Sequence, residues 1–364
     1  MPEGRSAHPY VLYESIVQQP ELIEQAIQRN KVRIGEAAEA AAGRKRFTFI
    51  GIGTSFHAAS VAERWMRLHS GGRAQARAEE SFEFVNYPLA MGAEDAAVVM
   101  THTGTTTQSI EALRKAKAGN AYTAAITGKL TAGTVPGADY HFETCEQETA
   151  FAYTKSYTTT LAVLAILALR LLEQRGWVKD ASNALSSLER VPALMQKVMR
   201  TEEQVREIAR KMAERSQIAF LGAGACWFTA SEAALKVKET SYIPAEGFET
   251  EETLHGPFSE MDSRTAVVAL LAGDVSDERA RTILRAAGEI GALRVAVAAS
   301  AANRDLAADH ILELPDFETW LAPFLHLLPL QLLAYYLAIE KGTNPDRGRQ
   351  DQESHARAHK VYKL

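Results

Sequence analysis

The feature that most constrains the fold is a spacing of apolar runs that occurs twice in the 364-residue chain. The runs begin at Phe47, Ala96, Ala121 and Tyr140 in the first half, and at Ile218, Ala266, Leu293 and His310 in the second. Successive starts are 49, 25 and 19 residues apart in the first half and 48, 27 and 17 in the second. Helical patterns fill the intervals. The spacing therefore predicts two copies of one α/β domain, each built on a parallel sheet.

Each copy begins with a strand, a Gly-x-Gly turn and a helix. The turns are Gly51-Ile-Gly53 and Gly222-Ala-Gly224. A dinucleotide-binding fingerprint needs a third glycine three positions later, where this chain has Phe56 and Trp227. The turns therefore do not indicate a dinucleotide, but they place close backbone approaches at the carboxyl ends of parallel strands, where open α/β sheets bind ligands.

A hydroxyl-rich loop, residues 101–109 (THTGTTTQS), follows the apolar run 96–100 and precedes a helical pattern. Free N–H groups and the positive end of the helix dipole meet at such a helix start, which suits a phosphate. The loop lacks the Gly-Lys-Ser/Thr ending of a nucleotide P-loop, so it indicates one phosphate on a small molecule. Serine and threonine also act simply as helix caps. The second copy has Asp274 in its corresponding loop, so only the first copy is predicted to hold an anion.

The second copy carries a different set of chemical groups. Lys236 and Glu239 are three residues apart on a predicted helix, and His255 begins a His-Gly-Pro turn. A carboxylate, an amine and an imidazole can respectively move a proton at carbon, hold a carbonyl or form an imine, and open a sugar ring. The alternative interpretation is a solvated Lys-x-x-Glu face and a structural histidine.

Composition and charge restrict the class of partner. The net charge of −5 and the absence of a basic stripe argue against a nucleic-acid partner. Cys145 and Cys226 have no metal-type spacing, and neither a metal nor a cofactor is predicted. The first residues lack the apolar core of a signal peptide, and the apolar stretches 161–172 and 320–339 are too short or too interrupted to span a membrane. We therefore expect a cytoplasmic protein that binds small molecules and copies of itself.

The chain resembles a known family over nearly its whole length. The matching stretches are 13–20, Gly53-Thr-Ser55, the loop 101–106 (the family usually has Ser-Gln-Ser-Gly-Glu-Thr), Glu148, 152–157, 234–242, 255–257 and 329–335. These motifs identify two tandem sugar isomerase (SIS) domains with flavodoxin-like, doubly wound parallel sheets. They are similar to the isomerase domain of glucosamine-6-phosphate synthase and to standalone amino-sugar-phosphate deaminases and isomerases. The expected segments are a helical segment 1–35, domains 36–180 and 181–342, and a tail 343–364.

The resemblance also implies roles for particular residues. The residues expected around the substrate phosphate are Thr54, Thr101, His102, Thr103 and Thr106, and Ser55 is a further expected substrate-binding residue. Phe151 and Ala152 fall where backbone contacts to the sugar are expected, with Glu148 close by. Glu239 matches the proton-shuttling glutamate and Lys236 its neighbouring lysine. His255 matches the ring-opening histidine, which in the family reaches the site of a partner subunit, so a homodimer is expected. Lys360 is the best match for a lysine on a tail that closes over the sugar.

Three departures from the family pattern bear on the reaction. About 35 residues precede the first domain, with no cysteine at position 2, so we expect no glutaminase activity. His102 replaces the usual glutamine, and the tail after Asp346 is longer than usual, which leaves the register of Lys360 open by a few residues. The expected activity is isomerisation or deamination of a hexose or amino-hexose 6-phosphate. The alternatives are a fructosamine-6-phosphate deglycase and a sugar-phosphate sensor without catalysis.

Overall fold

The computed structural model describes residues 5–87, 89–130, 133, 135–300 and 305–362. These residues form two compact units, each with its own core. The N-terminal unit comprises residues 18–148 and 155–192, and the C-terminal unit comprises residues 5–17, 149–154 and 193–362. The ends of the expected first and last segments, residues 1–4 and 363–364, lie outside the described residues.

This division differs from the expected segments at both chain ends. Helix α1 (Val11–Val17) belongs to the C-terminal unit, because the backbone N–H groups of Val11 and Leu12 donate to the carboxylate of Asp346, at 3.0 and 2.8 Å. Helix α2 (Gln19–Ala40) instead packs within the N-terminal unit against a long apolar helix. The expected helical segment 1–35 is therefore shared between the units, and the described part of the tail belongs to the C-terminal unit.

The N-terminal unit contains one five-stranded parallel sheet in the order β2-β1-β3-β4-β5. Its strands are β1 (Arg46–Gly51), β2 (Gln75–Glu80), β3 (Asp95–Met100), β4 (Tyr122–Thr127) and β5 (Tyr140–Glu143). Its further helices are α3 (Thr54–His69), α4 (Ser81–Asn86), α5 (Thr107–Ala118), α6 (Lys155–Gln174) and α7 (Ser182–Glu189). The strands β3 and β4 are buried along their whole length, as expected for the centre of a parallel sheet covered on both faces.

The C-terminal unit repeats this strand order, as β7-β6-β8-β9-β10. Its strands are β6 (Gln217–Gly222), β7 (Ala245–Glu249), β8 (Thr265–Leu271), β9 (Leu293–Ala299) and β10 (His310–Leu314). Helix α8 (Val191–Val198) crosses the boundary, and α9 (Glu202–Met212), α10 (Ala225–Thr240), α11 (Asp277–Glu289), α12 (Ala322–Glu340) and α13 (Glu353–His359) follow. Both sheets have the flavodoxin-like order, so the predicted tandem α/β fold is confirmed.

Two strands in the structure were not predicted. They are β2 and β7, the edge strands beside β1 and β6, which no apolar run marks. Their sequences, QARAEE and AEGFE, contain few large apolar residues and are mostly half-buried. The predicted interval of 49 or 48 residues between the first two runs therefore contains an extra edge strand.

The two longest apolar helices form part of the unit cores. The stretches 161–172 and 320–339 belong to longer helices than predicted, so the expectation that they are too short or too interrupted to span a membrane was wrong. The helices Lys155–Gln174 and Thr319–Glu340 are long and apolar enough to cross one, but 83% and 94% of their most apolar windows are buried within the protein. This burial accounts for their composition, since the core helix of a folded domain is also apolar all round.

Candidate active site

Both Gly-x-Gly turns bring a helix start against the end of a strand. A side chain at Gly51 would place its Cβ 2.4 Å from the backbone of Ser55, and one at Gly222 would place it 2.3 Å from the backbone of Cys226. Gly53 and Gly224 each have a φ of 55°, which L side chains rarely adopt. The glycines therefore permit α3 and α10 to begin directly at the carboxyl edge of each sheet. Thr54 and Ser55 are the first residues of α3.

The hydroxyl-rich loop lies between β3 and α5, as predicted. The Thr105 N–H and hydroxyl both donate to Thr103 Oγ1, at 3.3 and 3.0 Å, and Thr106 Oγ1 lies 3.4 Å from Thr103 Oγ1. Thr106 is the N-cap of α5 but makes no side-chain capping hydrogen bond. Thr101 is 97% buried, and its hydroxyl has no hydrogen-bond partner among the described residues. The hydroxyls of Thr103, Thr105 and Thr106 thus lie close together at the start of α5, where the first helix N–H groups have no intrahelical partner.

The matching loop of the C-terminal unit carries its own anion. The carboxylate of Asp277, at the start of α11, accepts hydrogen bonds from the N–H groups of Ala272 and Gly273, both at 3.1 Å. Asp274 accepts from the N–H and hydroxyl of Ser276 at 2.8 and 2.6 Å. These carboxylates occupy hydrogen-bond donors of this loop, and the absence of a phosphate from this copy stays a prediction.

His102 and Glu148 are linked in the N-terminal unit. The Glu148 N–H donates to His102 Nε2 at 3.0 Å, and Glu148 Oε1 accepts from the Ser156 N–H at 2.9 Å and from the Ser156 hydroxyl at 2.5 Å. Burial lowers the pKa of His102, Glu148 opposes this shift, and Lys155 adds to it. The ring is therefore neutral at pH 7.

A buried ion cluster on α10 contains the predicted Lys236 and Glu239. The Lys236 ammonium lies 2.6 Å from Glu239 and 3.3 Å from Glu232, and Lys236 and Glu232 are almost fully buried. Burial alone would lower the pKa of Lys236, but Glu232 and Glu239 raise it above its usual value. A permanently charged amine is a poor nucleophile, so the geometry favours an electrostatic role for Lys236 over formation of an imine.

Glu239 lines a cavity of about 370 Å³ in the C-terminal unit. The full lining is Phe151, Lys238, Glu239, Tyr242, Ile243, Pro244, Gly348, Arg349 and His355. The volume suits a small organic ligand. Phe151 is thus placed beside Glu239, whereas Ala152 is completely buried.

The tail forms one wall of this cavity. The Phe151 N–H donates to the Asp346 carbonyl at 3.0 Å, and the Arg349 N–H donates to the Tyr242 hydroxyl at 2.8 Å. The Arg349 guanidinium lies 4.2 Å from the centre of the Tyr242 ring. Sequence reasoning missed Tyr242, Arg349 and His355 as lining residues. The signal that was available is the arginine-containing tail after Asp346.

Of the four predicted catalytic residues, Glu239 lines this cavity, whereas Lys236, His255 and Lys360 are not part of the lining. His255 is largely exposed, and its Nε2 lies 3.2 Å from Glu251, which also pairs with Arg279. Arg279 and then His255 lower the pKa of Glu251 to about 2, against some opposing desolvation. Lys360 is exposed at the end of α13. Among the described residues, no group of three or more His, Cys, Asp or Glu side chains is arranged to hold a metal ion.

Two matching parallel sheets, each with a Gly-x-Gly turn before its first long helix, define a tandem α/β protein. The SIS domain family matches residues 42–170 and 211–341, and the chain belongs to this family. The family identified from the motifs is thereby confirmed.

The relatives include enzymes that are longer than this chain. The chain is 32% identical over 357 residues to the isomerizing glutamine-fructose-6-phosphate aminotransferase of Thermococcus kodakarensis, an alignment that covers 95% of this chain and 58% of that protein. It is 29% identical over 347 residues to the enzyme of the same description from Pyrococcus horikoshii, covering 95% and 57% respectively. The chain thus spans a little over half the length of these relatives.

Solved structures agree with this assignment. The C-terminal domain of glucosamine-fructose-6-phosphate aminotransferase from Francisella tularensis has a TM-score of 0.88 and 26% identity, covering 94% of this chain and 99% of that one. Glucosamine-6-phosphate deaminase from Thermotoga maritima has a TM-score of 0.74 and 20% identity, covering 93% and 97%. At 20% identity this second likeness supports the fold alone.

Proposed function

We propose that this chain is a sugar-phosphate enzyme that isomerises or deaminates a hexose or amino-hexose 6-phosphate by ring opening and proton transfer between C1 and C2. The observation that carries the proposal is the carboxylate of Glu239, which lines a ligand-sized cavity and is held by the buried Lys236. A carboxylate fixed in this way is a candidate base for a carbon-bound proton.

The N-terminal unit supplies the proposed phosphate anchor. The hydroxyls and helix N–H groups of the loop 101–106 and of the start of α3 are the proposed hydrogen-bond donors. Thr54, Ser55, Thr101, Thr103 and Thr106 are the proposed ligands. The similarity to phosphosugar enzymes such as the Francisella domain supports the same assignment.

The proposed reaction balances as a hydrolysis. Ring opening of glucosamine 6-phosphate gives a 2-amino aldehyde, and Glu239 removes the proton at C2 to form an enolamine. Protonation at C1 gives the imine at C2, water adds to that carbon, and ammonia leaves to yield fructose 6-phosphate. With a hydroxyl in place of the amine, the same proton transfer is an aldose–ketose isomerisation. His255 is the proposed ring-opening residue and Lys360 the proposed closing lysine.

The test is turnover of a substrate panel by the wild-type chain and two variants. We expect glucosamine 6-phosphate to release ammonia and fructose 6-phosphate in equal amounts, or glucose 6-phosphate and fructose 6-phosphate to interconvert. Glu239→Gln should lower kcat by at least about 100-fold, because it removes the base. The control Glu207→Gln changes an exposed carboxylate on α9 and should leave kcat unchanged. Glutamine in the panel tests the expectation of no glutaminase activity. Background turnover of every substrate by the wild-type chain would contradict the proposal.

A fructosamine-6-phosphate deglycase is the second candidate. Lys238 and Arg349 line the same cavity as Glu239, and their positive charges favour an acid group on the departing amine. Release of free lysine from fructoselysine 6-phosphate, with no ammonia from glucosamine 6-phosphate, would favour this candidate over the first.

A further inference from the structure

His102 occupies the position where the family pattern has glutamine, but its ring is already engaged with the protein. Its Nε2 accepts the backbone N–H of Glu148 at 3.0 Å. A nitrogen that accepts from an N–H carries no proton, so the ring is the neutral tautomer with its proton on Nδ1. The ring atom that could otherwise receive a substrate hydroxyl is thus used to hold the main chain.

The backbone carbonyl of His102 is also hydrogen-bonded to neighbouring segments. Its carbonyl accepts the Gly128 N–H at 2.9 Å and the side-chain amide of Gln147 at 3.0 Å, and Gln147 also donates to the Lys129 carbonyl at 3.0 Å. Residue 102 therefore joins the loop after β3 to the loop after β4 and to the segment 147–148.

Gly128 leaves room for the imidazole ring of His102, which a side chain at position 128 would overlap. A Cβ at this position would lie 2.4 Å from Cε1 and 2.6 Å from Nδ1 of His102, well inside any real contact. Glu148 continues the connection, because its carboxylate accepts the N–H of Ser156 in the first turn of α6. The imidazole of His102 thus joins the hydroxyl-rich loop to Glu148, a buried glutamate whose carboxylate is hydrogen-bonded to the start of α6.

We propose that His102 is a positioning residue, which holds the hydroxyl-rich loop against the Glu148 segment and so keeps the loop shaped for a sugar phosphate. This inference rests on the proposed function, because the anchored phosphate belongs to that reaction. It revises the role of His102 implied by the family resemblance, which was contact with the phosphate.

The first test compares the affinity of three variants for fructose 6-phosphate by calorimetry, without turnover. His102→Ala removes the acceptor and should weaken binding by at least about tenfold. His102→Gln should recover affinity to within about threefold of the wild type, because an amide oxygen can also accept the Glu148 N–H. Gly128→Ala keeps the imidazole but displaces it, and should weaken binding as His102→Ala does. This variant also keeps the test decisive if His102→Ala does not fold.

The second test is the pH dependence of the same affinity. A protonated imidazole cannot accept an N–H, so wild-type binding should weaken at acidic pH beyond the loss shown by His102→Gln. The substrate's own phosphate titrates near pH 6 in both proteins and cancels in the comparison. The charged side chains that act on the ring are Glu148 and Lys155, which shift its pKa in opposite directions. His141→Gln changes another buried histidine of this unit, bonded to the Thr127 hydroxyl, and should keep the wild-type profile.

The outcomes separate this inference from the proposed function. If the wild-type chain binds no sugar phosphate, the proposed function fails. If it binds and His102→Ala binds equally well, the positioning role fails while the function stands. If His102→Gln is as weak as His102→Ala while Gly128→Ala binds normally, the imidazole itself contacts the ligand and the inference is overturned.

Discussion

At the residue scale, Lys236 is a buried ammonium with two carboxylate partners. It lies between Glu232, which is fully buried, and Glu239, which faces the cavity. Removal of the ammonium leaves two carboxylates within one buried cluster. Such a loss commonly costs about 3 to 5 kcal/mol.

We therefore expect Lys236→Met to lower the free energy of unfolding by about 3 kcal/mol or more, measured by urea denaturation at pH 7. The matched control is Lys238→Met, which removes an exposed ammonium two residues along the same helix and should change stability by no more than about 0.5 kcal/mol. Equal stability of the two variants would show that the cluster contributes nothing to folding.

Gly348 is the tail residue that packs closely against Phe151 in the cavity wall. Its φ is 52°, and a Cβ there would lie 2.3 Å from the ring of Phe151. Gly342 offers a matched comparison, since its φ is 66° but no atom lies within 4 Å of its Cβ position. The two glycines share the backbone restriction and differ in the contact.

Gly342→Ala should thus cost about 1 kcal/mol of unfolding free energy from backbone strain alone. Gly348→Ala should cost about 1 to 3 kcal/mol more, because Phe151 must also move. It should in addition weaken binding of a ligand to the cavity beside Glu239. If both variants lose the same stability, the tail does not pack on Phe151 as described.

The site could be predicted from sequence only where its chemistry is local. Glu239 and Lys236 follow from helical spacing, and the hydroxyl-rich loop from a strand and a helix on either side. Tyr242 and Arg349 come together from positions 107 residues apart, and both adopt a positive φ that no local pattern indicates. Their meeting depends on the path of the tail.

At the element scale, the two strands that escaped prediction are β2 and β7, each of which lies at one edge of its sheet. The central strands β3 and β8 are buried on both faces, so their sequences are continuously apolar. The edge strands β2 and β7 pair on one side only and carry charged residues, which discourages further pairing. Hydrophobic patterning detects apolar strands, including the opposite edge strands β5 and β10, and misses strands as polar as β2 and β7.

Helix α12 shows how a fully buried element can still hold a titratable group. His326 is completely buried, with Nδ1 3.1 Å from the Ala322 carbonyl and Nε2 3.0 Å from the Leu271 carbonyl. Burial lowers the pKa of His326 to about 4, against the effect of its backbone hydrogen bonds. The unfolded chain, with a histidine pKa of about 6.5, binds this proton more readily than the folded protein. Stability from this group is therefore present above about pH 6.5 and is lost as the pH falls towards 4.

Between pH 7 and pH 5, this histidine should account for about 2 kcal/mol of lost unfolding free energy. His326→Gln should flatten the pH dependence of the urea midpoint by a corresponding amount, although it lowers stability at pH 7. His310→Gln, at a partly exposed strand position, should retain the wild-type pH dependence. An unchanged slope in His326→Gln would mean that this ring titrates normally in the folded state.

At the scale of the whole molecule, the two units share one fold but differ in the side chains at their loops and helix starts. Both units have the same strand order and the same Gly-x-Gly turns. The N-terminal unit has the hydroxyl-rich loop, for which we propose a phosphate, whereas the C-terminal unit has Asp277 on its matching loop and carries the Glu232–Lys236–Glu239 cluster. The duplication was readable from the spacing of apolar runs. The membership of α1 in the C-terminal unit could not be read from the sequence, because it depends on a hydrogen bond to Asp346, more than 300 residues away.

The last prediction concerns assembly, since His255 is exposed and is not among the residues that line the Glu239 cavity of its own chain. We propose that His255 acts in the site of a second copy within a homodimer. Glu239→Gln and His255→Ala should each be inactive alone. When the two are unfolded together in equal amounts and refolded, half of the dimers are mixed, and each mixed dimer regains one site with both residues intact.

The refolded mixture should therefore recover about one quarter of the wild-type activity per chain. A mixture of Glu239→Gln with Lys236→Met is the matched control, because both changes fall in the same cluster of one chain and no mixed dimer regains an intact site. Sedimentation velocity on the wild-type chain measures its oligomeric state independently, and we expect a dimer. A dimer whose Glu239→Gln and His255→Ala mixture stays inactive would show that each site takes both residues from one chain.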